Sequence, residues 1–239
     1  MRPAYKTDCQ VKKVMKKTQL AKILRAQGQE YSKSLGIDVS SGETEVFKWF
    51  VASLLFGASI SEATAIKTYK CFEKHGVLTP AKMLETGWNG LVRILDEGGY
   101  TRYDYKTADK IMMVTQNLIS EYSGNMGLIH ERAVDSDDLE ERLKDLGKGV
   151  GEVTVSIFLR ELRDVWSKAE SKPTNLEILA AGELGILKSD APAEEALETL
   201  KVFWNRNRVA GYSFVNFETA LLRMGRELRE RRKRSDRAG

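Results

Sequence analysis

The chain has few cysteines and histidines, no long apolar run and no strand-like alternation, and each lack removes a class of protein. Its two cysteines, Cys9 and Cys71, lie far apart in 239 residues, and neither has a Cys or His partner at metal-ligand spacing. That argues against a structural zinc site or an iron–sulfur cluster and predicts free thiols in a reducing compartment. The longest apolar stretch, Phe50-Val51-Ala52-Ser53-Leu54-Leu55-Phe56-Gly57-Ala58, is far shorter than the ~18 residues of a membrane span and reads as a buried helix. No apolar segment follows Met1-Arg2-Pro3-Ala4-Tyr5-Lys6, so no secretory leader and no membrane partner are expected. The expected setting is intracellular, either cytoplasmic or nucleoid-associated, and the expected state a monomer. Apolar residues do not alternate with a period of two, so the fold class expected is all-α.

Charge is present in quantity but unevenly spread. The net charge is +4, with about +7 in residues 1–25 and +5 in residues 223–239, which leaves −8 for the rest. Basic ends on an acidic middle suggest one basic face and an anionic partner. Helical periodicity predicts helices at about 8–28, 45–57, 61–75, 79–85, 88–95 and 105–122. Another starts at the Asp135 cap, and four more are expected at about 152–166, 175–186, 192–207 and 214–233. Residues 29–42 read as an irregular link, and His130 as part of a linker.

The most informative stretch is Leu146-Gly147-Lys148-Gly149-Val150-Gly151-Glu152-Val153-Thr154. It joins a charged helix to an apolar one through a glycine-rich turn. The turn amides and those of the next helix's first turn lack intrahelical acceptors, so they form a place where an anion is favoured. In a basic chain the expected anion is a nucleic-acid phosphate.

With its neighbours, this turn resembles that of the helix-hairpin-helix base-excision DNA glycosylases, the endonuclease III-like superfamily. Residues 50–59 look like that family's first core helix and wedge loop. Leu78-Thr79-Pro80-Ala81-Lys82-Met83-Leu84 resembles its Thr-Pro segment, and Gly98-Gly99-Tyr100 with Lys106-Thr107-Ala108 resembles its Gly-Tyr turn. Gly149-Val150-Gly151 followed by Thr154 resembles its hairpin, and residues 217–226 its last core helix. The resemblance implies two helical lobes, 43–147 and 1–42 plus 152–239, with a helix-hairpin-helix at 139–166 near their junction. It implies that duplex DNA carrying a lesion or mismatch lies between the lobes, and that a flipped base enters a pocket there. Lys148, Gly149, Val150, Gly151 and Thr154 are expected to bind DNA, together with Ala58 in the wedge loop. No metal or organic cofactor is implied, apart from a monovalent cation at the hairpin.

Departures from the family pattern shape the chemistry expected. The position of the lysine found in strand-cleaving members is Val153 here, so the resemblance implies a monofunctional glycosylase; a lyase would need a displaced lysine, Lys148 or Lys172. The family aspartate lies about twenty residues beyond the last hairpin glycine, where this chain has Glu170-Ser171-Lys172. Glu170 is preferred as the carboxylate that stabilises an oxocarbenium-like transition state, with Asp164 as the alternative. A DNA-binding protein without catalysis is the rival reading. Ala58 is too small to wedge, which leaves Ile60 or the Tyr100–Tyr105 region for that role. The four-cysteine cluster is missing, and an arginine-rich segment stands in its place. Tyr100, Arg102, Tyr103, Tyr105 and Lys106 mix aromatic and basic residues as nucleic-acid contacts do, although simple packing also fits them. Trp49, Trp88, Trp166 and Trp204 are expected in the core.

Overall fold

The computed structural model describes residues 15–188 and 190–238, with the backbone alone for residues 237 and 238. Among the described residues the fold is all-α, without strands. The chain divides into two compact units: Gln29–Thr174, and the residues up to Gly28 together with those from Asn175 onward. Residues 29–42 and 152–174 therefore belong with the middle of the chain, a different division from the one expected at 43–147. No described helix is long and apolar enough to cross a membrane. The first part of the helix expected at 8–28, with Cys9, lies outside the described residues.

The unit Gln29–Thr174 is built around α3 (Glu43–Phe56). Ten of its residues are buried, including Trp49, Phe50, Leu54 and Phe56, so it is surrounded by neighbours rather than set on a surface. Burying a side chain of this size contributes about 1.5–3 kcal/mol, which makes α3 the main apolar support of the unit. It packs on α4 (Glu62–Lys74), α7 (Met126–Arg132) and α9 (Glu152–Arg160). Trp49 donates its indole N–H to the Phe158 carbonyl at 3.0 Å, and Phe50 meets the Phe158 ring edge-on at 5.0 Å. Cys71 on α4 is a buried free thiol.

Local signals set the starts of several helices. Ser61 accepts from the Thr64 amide to cap α4, and Thr79 accepts from the Lys82 amide to cap α5 (Pro80–Gly98), which begins with proline. Gly87, at φ 65° and ψ 172°, breaks α5 in two, as the separate helices expected at 79–85 and 88–95 require. The Asp135 side chain accepts from the Asp138 amide at the start of α8 (Ser136–Asp145).

Two short helices differ from expectation. The irregular link contains α2 (Tyr31–Leu35), and the linker holding His130 is helix α7. Both have a distant carboxylate at their first turn. Glu161 accepts from the amides of Tyr31 and Ser32 at 2.8 and 3.0 Å, and Glu43 accepts from the Gly127 amide at 2.8 Å. The helix expected at 152–166 stops at Arg160 and continues as turns through residue 165. Asp164 is thus in a turn rather than in a helix.

The other unit packs α12 (Phe214–Ala238) on α10 (Asn175–Glu183), α1 (Lys17–Gln27) and α11 (Ala193–Asn207). Gly225 allows the closest approach: a Cβ there would collide with the Leu176 carbonyl oxygen. Trp204 stacks on Phe217 at 5.7 Å in a core with Leu20, Leu24, Leu200 and Leu221. Beyond this core, the arginine-rich end of α12 is exposed, with Arg231 and Lys233 in surface ion pairs to Glu227 and Glu230.

Burial raises the Glu161 carboxyl from 4.5 to about 7, against the pull of the α2 amides. A carboxyl whose folded pKa is raised favours the native state while protonated. Its contribution is therefore complete below pH 4.5 and is lost as pH rises through 7. Urea unfolding should show wild type losing on the order of 3 kcal/mol more than Glu161→Gln between pH 4.5 and 8. Parallel pH profiles for the two proteins would refute this.

Candidate functional site

The glycine turn sits on one face of α6 (Asp104–Tyr122). Asn117 Nδ2 donates to the Leu146 carbonyl at 3.0 Å, which satisfies an acceptor at the end of α8. Gly147 is buried so tightly against Val114 that a Cβ would lie 2.9 Å from its methyl group. The Lys148 amide points at Met113 Sδ at 3.2 Å. At Gly149, φ is +92°, a conformation that favours glycine, and Lys110 Cε would be 3.0 Å from any Cβ placed there. Residues 110, 113, 114 and 117 share a helix face by their spacing, so the whole turn is fitted to α6.

The opposite side of the turn is open. Gly149 and Gly151 are exposed, and a Cβ on Gly151 would have nothing within 4 Å. Among the described residues, neither glycine amide has a hydrogen-bond acceptor. Gly151 is the N-cap of α9, so the first-turn amides of that helix also face outward. Lys148 is exposed beside them, and Lys110 approaches from α6. Burial lowers the Lys110 pKa, which a nearby anion would counter. Lys110 was not singled out in the sequence, where only its four-residue spacing from Lys106 hinted at a shared face.

Other expected DNA-binding residues divide between surface and interior. Arg102 and Lys106 are exposed. Val150 and Thr154 are 5% and 3% exposed and pack inward, so they shape the turn and do not present groups to a partner. Tyr100 is likewise buried, at 3%, and packs inward. Ala58 is half-buried in the turn after α3. Trp88 departs from the core placement expected for the tryptophans: it is exposed and stacks on Tyr105 at 5.3 Å.

The loop after α9 turns back along that helix. Ser171 Oγ donates to Ser156 Oγ at 3.1 Å, and Arg163 donates to the Ser171 carbonyl at 2.7 Å. Ser156 is five residues past Gly151, so the loop comes back to about 7.5 Å along the axis from the start of α9. Lys172 pairs with Asp137 on α8 at 2.9 Å. Farther up the loop, Lys168 Nζ donates to the His130 carbonyl at 2.7 Å, and Trp166 stacks on the His130 ring at 5.1 Å. The Lys168 amide approaches His130 Nε2 at 3.4 Å, and burial lowers this histidine's pKa, so the neutral ring accepts. Glu170 is exposed between buried Ala169 and buried Ser171, and Asp164 is exposed in the turn beyond α9. No group of three or more His, Cys, Asp and Glu side chains at metal-binding distance occurs among the described residues.

The approach of α9 to α3 depends on Gly57. A Cβ there would run into Thr154 Oγ1 and come within 3.0 Å of the Thr154 Cα. Gly57→Ala should therefore cost about 1–3 kcal/mol in chemical denaturation. Trimming the neighbour in the Gly57→Ala/Thr154→Ala double variant should recover only part of this, because the backbone contact persists. A neutral Gly57→Ala would show that the two helices separate freely.

Compared with protein-family models, curated proteins and solved structures, the chain matches none.

Proposed function

We propose that this protein is a DNA base-excision glycosylase that binds duplex DNA through the α8–turn–α9 segment and hydrolyses the N-glycosidic bond of a damaged or mismatched base. The observation that carries the reading is the turn itself: two acceptor-free glycine amides at the mouth of α9, with Lys148 and Lys110 beside them. Such a site suits a phosphate oxygen, since outward amide dipoles lie beside the Lys110 ammonium, with exposed Lys148 the adjoining residue. It grips backbone without reading bases. A turn braced against α6 can hold that grip with little rearrangement.

For the chemistry, Glu170 supplies the carboxylate. As the base leaves, positive charge develops on the sugar, and a fixed anion lowers the barrier. The same oxygen atoms can orient the attacking water. The loop backbone is held at Ala169, Ser171 and Lys172, which fixes where a side chain at position 170 starts from. Val153, half-buried at the second position of α9, supplies no amine for a Schiff base, so the reaction stops at the abasic site.

One observation favours the rival reading of a DNA-binding protein without catalysis. The position that corresponds in spacing to the family carboxylate is Ser171, and its hydroxyl is turned inward onto Ser156. A panel of duplexes carrying uracil, alkylated purines, 8-oxoguanine or a mismatch separates the two, with alkali revealing abasic sites. Excision lost in Glu170→Gln and kept in Asp164→Asn supports the assignment. Binding to every duplex with excision from none leaves the non-catalytic reading. A borohydride-trapped adduct would point instead to a lyase using Lys148 or Lys172.

The grip on DNA has its own signature. Lys110→Ala and Lys148→Ala should each weaken duplex binding irrespective of sequence and reduce the slope of log K against log salt by about 1. An unchanged slope in both variants would remove the turn as the phosphate contact.

A further inference from the structure

Among the described residues, the exposed aromatic side chains are Trp88, Tyr103 and Tyr105, and all three lie where α5 meets the start of α6. Trp88 and Tyr105 stack at 5.3 Å and 20° between ring planes, with exposures of 37% and 60%. The pair is held in place. Trp88 donates its indole N–H to Asp109 at 2.8 Å, one helical turn along from Tyr105. Arg102 lies over the Tyr103 ring at 5.3 Å, and Lys106 is exposed on the next residue after Tyr105.

Exposing three large rings in one patch forgoes roughly 1.5–3 kcal/mol of burial per side chain, so the patch is shaped for something other than the core. Its chemistry is a stacked aromatic surface flanked by Arg102 and Lys106, with Asp109 engaged by Trp88. A flat, electron-rich ring system carried on an anionic chain matches both parts. An acidic peptide would match the cations but leave the ring faces without a flat partner.

We propose that Trp88 and Tyr105 form a stacking platform for an unpaired nucleobase next to the phosphate held at the glycine turn. Tyr105 and Lys110 are five residues apart on α6, about 7.5 Å along its axis and about 140° around it, with exposed Lys106 between them. A single strand that leaves Lys110 and the glycine amides and crosses Lys106 can therefore bring an unpaired base onto Tyr105. This inference rests on the nucleic-acid reading above and adds a preference to it: DNA with an unpaired base is favoured over a fully paired duplex.

The test measures binding of the full chain to three fluorescent probes: a blunt duplex, the same duplex with one unpaired thymidine, and oligothymidylate. Tyr105→Ala should weaken binding to the latter two roughly tenfold and leave the blunt duplex unchanged. Tyr105→Phe should retain wild-type affinity for all three. Trp88 is the exposed tryptophan among the four, so stacking should quench part of the intrinsic fluorescence, and Trp88→Phe should abolish that quench. If Lys148→Ala weakens binding while Tyr105→Ala changes none of the three affinities, the platform is wrong and the phosphate grip stands. Equal losses on all three probes in Tyr105→Ala also overturn the platform. Failure of wild type to bind any probe overturns the underlying nucleic-acid reading as well.

Discussion

The candidate site depends on the seating of a glycine turn against one face of α6. Four α6 residues engage the turn: Asn117 at the Leu146 carbonyl, Val114 against buried Gly147, Met113 at the Lys148 amide, and Lys110 beside Gly149. Side chains at Gly147 and Gly149 would intrude on this fit, and φ at Gly149 disfavours them independently. With the inner side of the turn fully engaged, its amides at Gly149 and Gly151 can only face outward. Behind the turn, α9 is held onto α3 by the Trp49–Phe158 hydrogen bond and by the gap that Gly57 leaves for Thr154. The same packing explains why Val150 and Thr154, in the middle of the motif, are structural residues.

The parts of the fold legible in the sequence are those set by local chemistry. Ser61, Thr79-Pro80 and Asp135 announce helix starts because the bond each makes is three residues away. The apolar character of α3 on all sides marks it as central. The short helix α2 was not legible, because the carboxylate at its first turn comes from Glu161, 130 residues distant; α7 has a local cap in Asn125 besides the distant Glu43, but little length to follow it. Five or seven residues carry too little propensity of their own to signal a helix.

The candidate site divides the same way. The glycine spacing identifies the turn, because positive φ and close approach are demands on residue type at single positions. Lys110 could be seen only once α6 was packed on the turn. Trp88 read as a core residue because Leu84, Leu91 and Val92 stand at helical spacing from it; the break at Gly87 begins a new helix there, and the stack with Tyr105 places the ring at the surface. The inward turn of Ser171 follows from a loop that doubles back on its own helix, which spacing along the chain cannot reveal.

That doubling back has an entropic consequence for the carboxylate at position 170. Its backbone is flanked by buried residues and tied to three helices: to α7 through Lys168 and Trp166, to α8 through Lys172, and to α9 through Ser171. Fixing one residue's backbone costs about 1–2 kcal/mol, and here folding has already met that cost before any ligand arrives. A loop residue, usually the most mobile kind of group, thus has its backbone anchored on both sides to the surrounding helices.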